Sequence, residues 1–157
     1  MIFVTVGTQG PFDRMVDAVD QWAGARGRED VFAQIGSGAE PQHMQWARDL
    51  APDEFSQRLE RADAVVAHAG MGTILTALSL GKPVLVMPRL ARLGEHRNEH
   101  QTATTERFLD MGRIAAVWEA DQMAAALDAL GSSDESERLG RHASGELVDR
   151  LRGFLRE

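Results

Sequence analysis

Short apolar runs that end at glycines or polar turns, separated by stretches with helical spacing, restrict the fold of this chain more than any other feature. Residues 2–6, 31–35, 64–67, 84–87 and 114–117 are too short for buried helices. They are apolar along most of their length, as strands covered on both faces must be. Residues 43–46 read as a further short strand. Phe12, Met15, Val16, Val19 and Trp22 recur at helical spacing behind Pro11, a residue tolerated in a first turn. Residues 53–61 and 73–80 also read as helices, the second stopped by Gly81-Lys82-Pro83. After a polar, basic stretch to Arg97 comes a helix to Asp110, and two amphipathic helices close the chain. The last of these sets Leu139, Ala143, Leu147, Leu151 and Phe154 on one stripe. Such alternation predicts a Rossmann-like, doubly wound α/β domain with a parallel sheet. At 157 residues, with no internal repeat and no linker, one domain over residues 1–157 is expected.

Composition narrows the functions open to it. Apolar residues at 43% and charged residues at 26% are the balance of a chain that folds. The absence of cysteine removes disulfides and thiolate metal sites and suits a reducing cytoplasm. A net charge of −7 gives no general attraction to nucleic acid or anionic lipid, so any anion site must be local. The run at residues 2–6 is too short for a secretory leader, and no window reaches the ~20 apolar residues that cross a bilayer. The expectation is a soluble cytoplasmic domain whose membrane contact comes through another protein.

Ligands of open parallel sheets sit beyond the carboxyl ends of the strands, so the loops there carry the functional reading. Gly7-Thr8-Gln9-Gly10 follows the first strand, where small residues let an anion approach backbone amides at a helix start. The same glycines also suit a plain tight turn. Neither the Gly-x-Gly-x-x-Gly spacing of dinucleotide folds nor a nucleoside-triphosphate loop is present. His68-Ala69-Gly70-Met71-Gly72-Thr73 is the strongest signal. It follows a buried strand and opens a helix, and its glycines are expected to adopt angles closed to other residues. The amides of Met71, Gly72 and Thr73 then converge on a diphosphate, with the Thr73 hydroxyl as a further donor. His68 at the mouth reads as a structural or a binding residue, and Met71 as packing or as a ligand contact. From Arg89 to Gln101 the chain packs arginines, Glu95, His96, Asn98, Glu99, His100 and Gln101 together, a set suited to sugar hydroxyls and, through Arg89, Arg92 or Arg97, to diphosphate charge. His96 and His100 stand four apart, but Arg97 occupies the place where a zinc protease carries glutamate, so sugar contact is the preferred reading.

These loops resemble the C-terminal domain of glycosyltransferase family 28. Val4-Thr5-Val6-Gly7-Thr8-Gln9-Gly10 is similar to the family's opening strand and phosphate turn, and 68–73 to its His-Ala-Gly-x-Gly-Ser/Thr turn. Met87-Pro88-Arg89 and the run from Gly94 to Gln101 most resemble stand-alone small subunits of split bacterial exopolysaccharide transferases, several of them glucuronosyltransferases. The resemblance implies the C-terminal, donor-binding half of a GT-B glycosyltransferase. It further implies a UDP-sugar bound without metal, a lipid-linked saccharide acceptor and a membrane-associated partner at the inner face of the cytoplasmic membrane. The expected nucleotide-sugar contacts are Gly7, Thr8, Gln9, His68, Ala69, Gly70, Met71, Gly72, Thr73, Thr76, Arg89, Glu95, Asn98, His100 and Gln101. Thr76 stands where the peptidoglycan enzyme of the family carries a ribose-holding carboxylate, so the ribose falls to Thr76, Glu95 or Glu99.

An inverting transfer needs a general base, expected on the partner, with His68 the candidate within this chain. Two other classes compete: a nucleotide-sugar-binding regulator without transferase activity, and a metal hydrolase built on His96 and His100. Transfer of N-acetylglucosamine or galactose competes with glucuronate.

Overall fold

The computed structural model describes residues 1–130. The expected closing helix with its stripe from Leu139 to Phe154 lies outside the described residues. Six strands form one sheet: β1 (Ile2–Thr5), β2 (Val31–Gln34), β3 (Gln45–Ala47), β4 (Ala64–Ala67), β5 (Val84–Val86) and β6 (Ala115–Ala116). Their order is β3-β2-β1-β4-β5-β6 and every neighbouring pair is parallel. The connections run through α1 (Asp13–Arg26), α2 (Pro52–Arg61), α3 (Met71–Ser79) and α4 (His100–Asp110), and α5 (Met123–Leu130) follows β6. This is the doubly wound parallel fold expected from the alternating pattern. α3 starts earlier than the sequence suggested, because the Ile74 amide bonds the Gly70 carbonyl and so draws Met71 and Gly72 into the first turn.

Strand side chains alternate between two cores. Ile2, Val4, Val66 and Leu85 face α1 and α5, while Phe3, Val65, Val84 and Val86 face α2, α3 and α4. Burying each such side chain stabilises the fold by about 1.5–3 kcal/mol, which explains why these strands read as unbroken apolar runs.

The chain leaves β1 toward β2 on one side and returns to β4 on the other, so the order reverses between β1 and β4. Their following helices cover opposite faces, which leaves a crevice at the carboxyl ends of these two strands. Both glycine-containing turns open there.

Candidate functional site

A cleft of about 810 Å³ occupies that crevice. Its walls are Gly7, Thr8 and Gln9 after β1, residues 68–73 after β4, and His96, His100, Gln101 and Thr104 around the start of α4. Gln34 and the stretch between β3 and α2, with Asp49, Leu50, Pro52, Phe55 and Ser56, complete it.

The turn after β1 is held from below by Arg89. Arg89 is 1% exposed, and its guanidinium donates to the carbonyls of Val6 (2.8 Å), Gly10 (2.8 Å) and Pro11 (2.7 Å). It also lies 4.8 Å from the centre of the Phe12 ring. Burial lowers the Arg89 pKa, opposed by the charge of Glu95. From the side, the Gln34 amide donates to the carbonyls of Gly7 (3.3 Å) and Arg48 (3.0 Å), and its oxygen accepts from the Thr5 hydroxyl (2.7 Å). That hydroxyl in turn accepts from the Gly7 amide at 3.2 Å. The turn is therefore fixed before any ligand arrives.

The turn after β4 is built around His68, 7% exposed. A Cβ on Gly70 would lie 2.7 Å from its Nε2 and closer still to Cε1; one on Gly7 would lie 3.0 Å from Cε1 and closer still to Nε2. Both glycines are thus required by the imidazole wedged between them. Gly7, at φ 74°, also sits in the left-handed region. The sequence reading of Gly70 and Gly72 is corrected here: Gly70 has φ −83° and Gly72 is helical, so neither uses an angle reserved for glycine. Gly72 instead leaves open space, with nothing within 4 Å of the point where a methyl group would stand. No side chain caps α3 and no acidic residue lies in its first turn, so its leading amides keep their hydrogen-bonding capacity toward the cleft.

Eleven of the expected contacts line the cleft: Gly7, Thr8, Gln9, His68, Ala69, Gly70, Met71, Gly72, Thr73, His100 and Gln101. The other four do not, each for a physical reason. Arg89 lies beneath the turn, where both terminal nitrogens of its guanidinium are taken up by the Val6, Gly10 and Pro11 carbonyls and its Nε is buried without a partner among the described residues. Glu95 bonds Arg14 Nε at 3.0 Å and accepts from the Leu90 amide at 3.0 Å, stapling the segment after β5 to α1. Asn98 accepts from the His100 amide (3.0 Å) at the start of α4. Thr76 turns its hydroxyl back onto the Gly72 carbonyl at 2.8 Å. Glu99, the third ribose candidate, accepts from Thr102 and lies outside the lining as well. Arg92 pairs with Glu119 on the surface. His96 meets Gln9 across the cleft mouth at 3.2 Å, and among the described residues no three His, Asp or Glu side chains are grouped to hold a metal ion.

Sequence reasoning missed Gln34 and the stretch from Asp49 to Ser56. A glutamine inside an apolar strand was the available signal for the first. Nothing in the local pattern marks the second, which reaches the cleft because β3 lies beyond β2 at the sheet edge.

Burial pushes the His68 pKa down to about 4, helped by the charges of Arg89 and His96. The unfolded chain, near 6.5, binds more protons between these values, so stability is lost as pH falls through that window. Between pH 7 and 5 the loss should be about 2 kcal/mol in urea unfolding. Replacing His68 with asparagine should remove that share of the pH dependence; identical slopes in the two proteins would contradict it.

Residues 1–146 match the glycosyltransferase family 28 C-terminal domain. The chain belongs to this family. UDP-N-acetylglucosamine transferase subunit ALG13 of Homo sapiens is 31% identical over 109 residues, which make up 62% of this chain and 10% of that protein. The chain thus spans about a tenth of the length of the curated relatives it matches. Among solved structures, the glycotransferase of kitacinnamycin superposes with a TM-score of 0.68 at 23% identity, covering 97% of this chain and 39% of that one. The solution structure of ALG13 gives 0.59 at 20% identity, covering 84% of this chain and 85% of that one. At these identities the likeness is one of fold, that of the C-terminal domains of GT-B glycosyltransferases.

Proposed function

We propose that this family 28 domain binds a UDP-sugar and serves as the sugar-donor half of an inverting glycosyltransferase, with a separate membrane-associated subunit holding a lipid-linked saccharide acceptor. One observation carries the reading: the uncapped start of α3 and the rigid turn after β1 open onto the same cleft at the reversal point of the sheet. Amides at a helix start stabilise phosphate oxygens, and a diphosphate gains charge as it leaves. In the transfer, the acceptor oxygen bonds the anomeric carbon as the bond from that carbon to the diphosphate breaks. UDP departs with the electron pair, and the hydroxyl proton passes to a base on the partner. Among the described residues no helix is long and apolar enough to cross a membrane, which fits an anchor supplied by that partner.

Leu50, Pro52 and Phe55 offer an apolar wall suited to the base, and Asp49, the one carboxylate in the lining, is available to the ribose in place of Thr76, Glu95 or Glu99. No lysine or arginine is among the lining residues. A glucuronate would lack a counter-charge, so an uncharged sugar is favoured, with N-acetylglucosamine first, in keeping with the transferase named for the human relative. Glucuronate transfer in exopolysaccharide synthesis becomes the second reading.

A panel of UDP, UDP-N-acetylglucosamine, UDP-galactose and UDP-glucuronate, read by thermal stabilisation with and without chelator, tests this. A ligand at a hundred times its dissociation constant adds about 2.7 kcal/mol. UDP-N-acetylglucosamine should stabilise at least as well as UDP, UDP-glucuronate less, and chelator should change nothing. Gly72→Val, whose Cβ meets nothing within 4 Å in the fold, should stay folded and lose the response. A folded Gly72→Val protein with unchanged UDP affinity would refute the site. Activity that appears only with the membrane subunit separates the enzyme from a regulator that merely binds nucleotide.

A further inference from the structure

Gln101, on the first turn of α4, is 6% exposed. Its place in a polar run suggests a sugar ligand, but its polar atoms are largely used inside the protein. Its oxygen accepts from the Ala69 amide at 3.2 Å and the Arg89 amide at 2.9 Å. Its nitrogen lies 3.2 Å from His68 Nδ1. An amide nitrogen cannot accept a hydrogen bond, so two backbone N–H groups converging on one atom identify that atom as the oxygen. The group facing His68 is then the NH2, a donor only. Nδ1 must accept, and the neutral ring must carry its proton on Nε2. That nitrogen bonds nothing among the described residues, and the ring edge that carries it lies between Gly7 and Gly70 on the cleft wall.

We infer that Gln101 is a positioning residue that locks His68 in its Nε2–H form, so that the imidazole meets a bound phosphate oxygen as an uncharged hydrogen-bond donor. The lock stands on the free protein's geometry; its meaning for phosphate rests on the proposed UDP-sugar site. One consequence separates roles within the cleft. A ring with Nε2 protonated and Nδ1 bonded inward has no lone pair facing the ligand, so His68 cannot take the acceptor's proton. The groups facing the ring are consistent with a neutral donor: Arg89 after β5 and His96 beyond it oppose a positive imidazole, Gln101 approaches from α4, and Gly7 and Gly70 close on it from β1 and β4.

Nitrogen-detected NMR of the histidine rings in the full chain tests the lock directly. The wild-type His68 should show Nδ1 unprotonated and Nε2 protonated from about pH 5.5 to 8. Gln101→Glu places a carboxylate oxygen against Nδ1, which should then hold a proton, with the titration midpoint raised by about two units or more. Gln101→Met, similar in length but with no amide, should leave a mixture of the two neutral forms. Thermal melts confirm that each variant is folded before its ring is read. Adding UDP should shift Nε2 and its proton while leaving Nδ1 unprotonated. A wild-type ring protonated on Nδ1, or a ring unchanged in folded Gln101→Met and Gln101→Glu proteins, overturns the lock. A locked ring whose Nε2 ignores saturating UDP overturns the phosphate contact instead, and a protein that binds no UDP at all removes the site reading while the lock is still measured.

Discussion

Arg89→Met should destabilise the domain by about 3 kcal/mol in urea unfolding, because three carbonyls lose a buried donor and each such loss costs about 1–3 kcal/mol, offset in part by removal of a desolvated charge. The Val6, Gly10 and Pro11 carbonyls all point at this one guanidinium. Methionine fills the stem's volume and stacks on Phe12 but offers them nothing. Against a total stability of about 5–15 kcal/mol the loss is large, so UDP binding should fall together with the unfolding midpoint. Arg89→Lys provides the control: its single ammonium reaches fewer of the carbonyls and should fall between the wild type and Arg89→Met. A loss under about 1 kcal/mol for Arg89→Met, with the response to UDP intact, would show that the turn after β1 holds its shape without this support.

Gly70→Ala should damage the site through a single steric contact. Its backbone at φ −83° accepts alanine, so the cost comes from the imidazole that the new methyl would meet. The ring cannot step aside, since Gly7 closes its other side and Gln101 holds Nδ1. Overpacking of this kind costs about 1–3 kcal/mol. UDP affinity should fall about tenfold or more, since a displaced ring and a shifted helix start both disturb the anion site. Gly72→Ala, two residues along the same helix end, meets nothing and should stay within about 0.5 kcal/mol of wild type. Combining Gly70→Ala with His68→Ala should recover part of the lost stability, the signature of a direct contact. Equal effects of the two single alanines, or no recovery in the double variant, would argue against the wedged ring.

The contrast between those neighbouring glycines shows where sequence reading stops. Gly70-Met71-Gly72 announces a backbone-lined helix start after a buried strand, and that much is visible in one dimension. The two glycines look equivalent there. They separate only when His68 folds over one of them and away from the other, with Gly7 arriving from β1 to close the gap. Glu95 gives the same lesson for charge. In a run of polar residues it reads as a sugar ligand, yet it is bonded to an arginine 81 positions away.

By itself the sequence determined the layered α/β fold, the parallel sheet and the two turns that matter, because these follow from hydrophobic period and glycine placement over a few residues. Tertiary structure alone decided which polar groups face the cleft and which brace it. Arg89 and Gly10 lie 79 residues apart, and Gln101 and His68 33 apart. Which of them touch depends on the order in which the strands pair, and strand order is a property of the assembled sheet that no local pattern encodes.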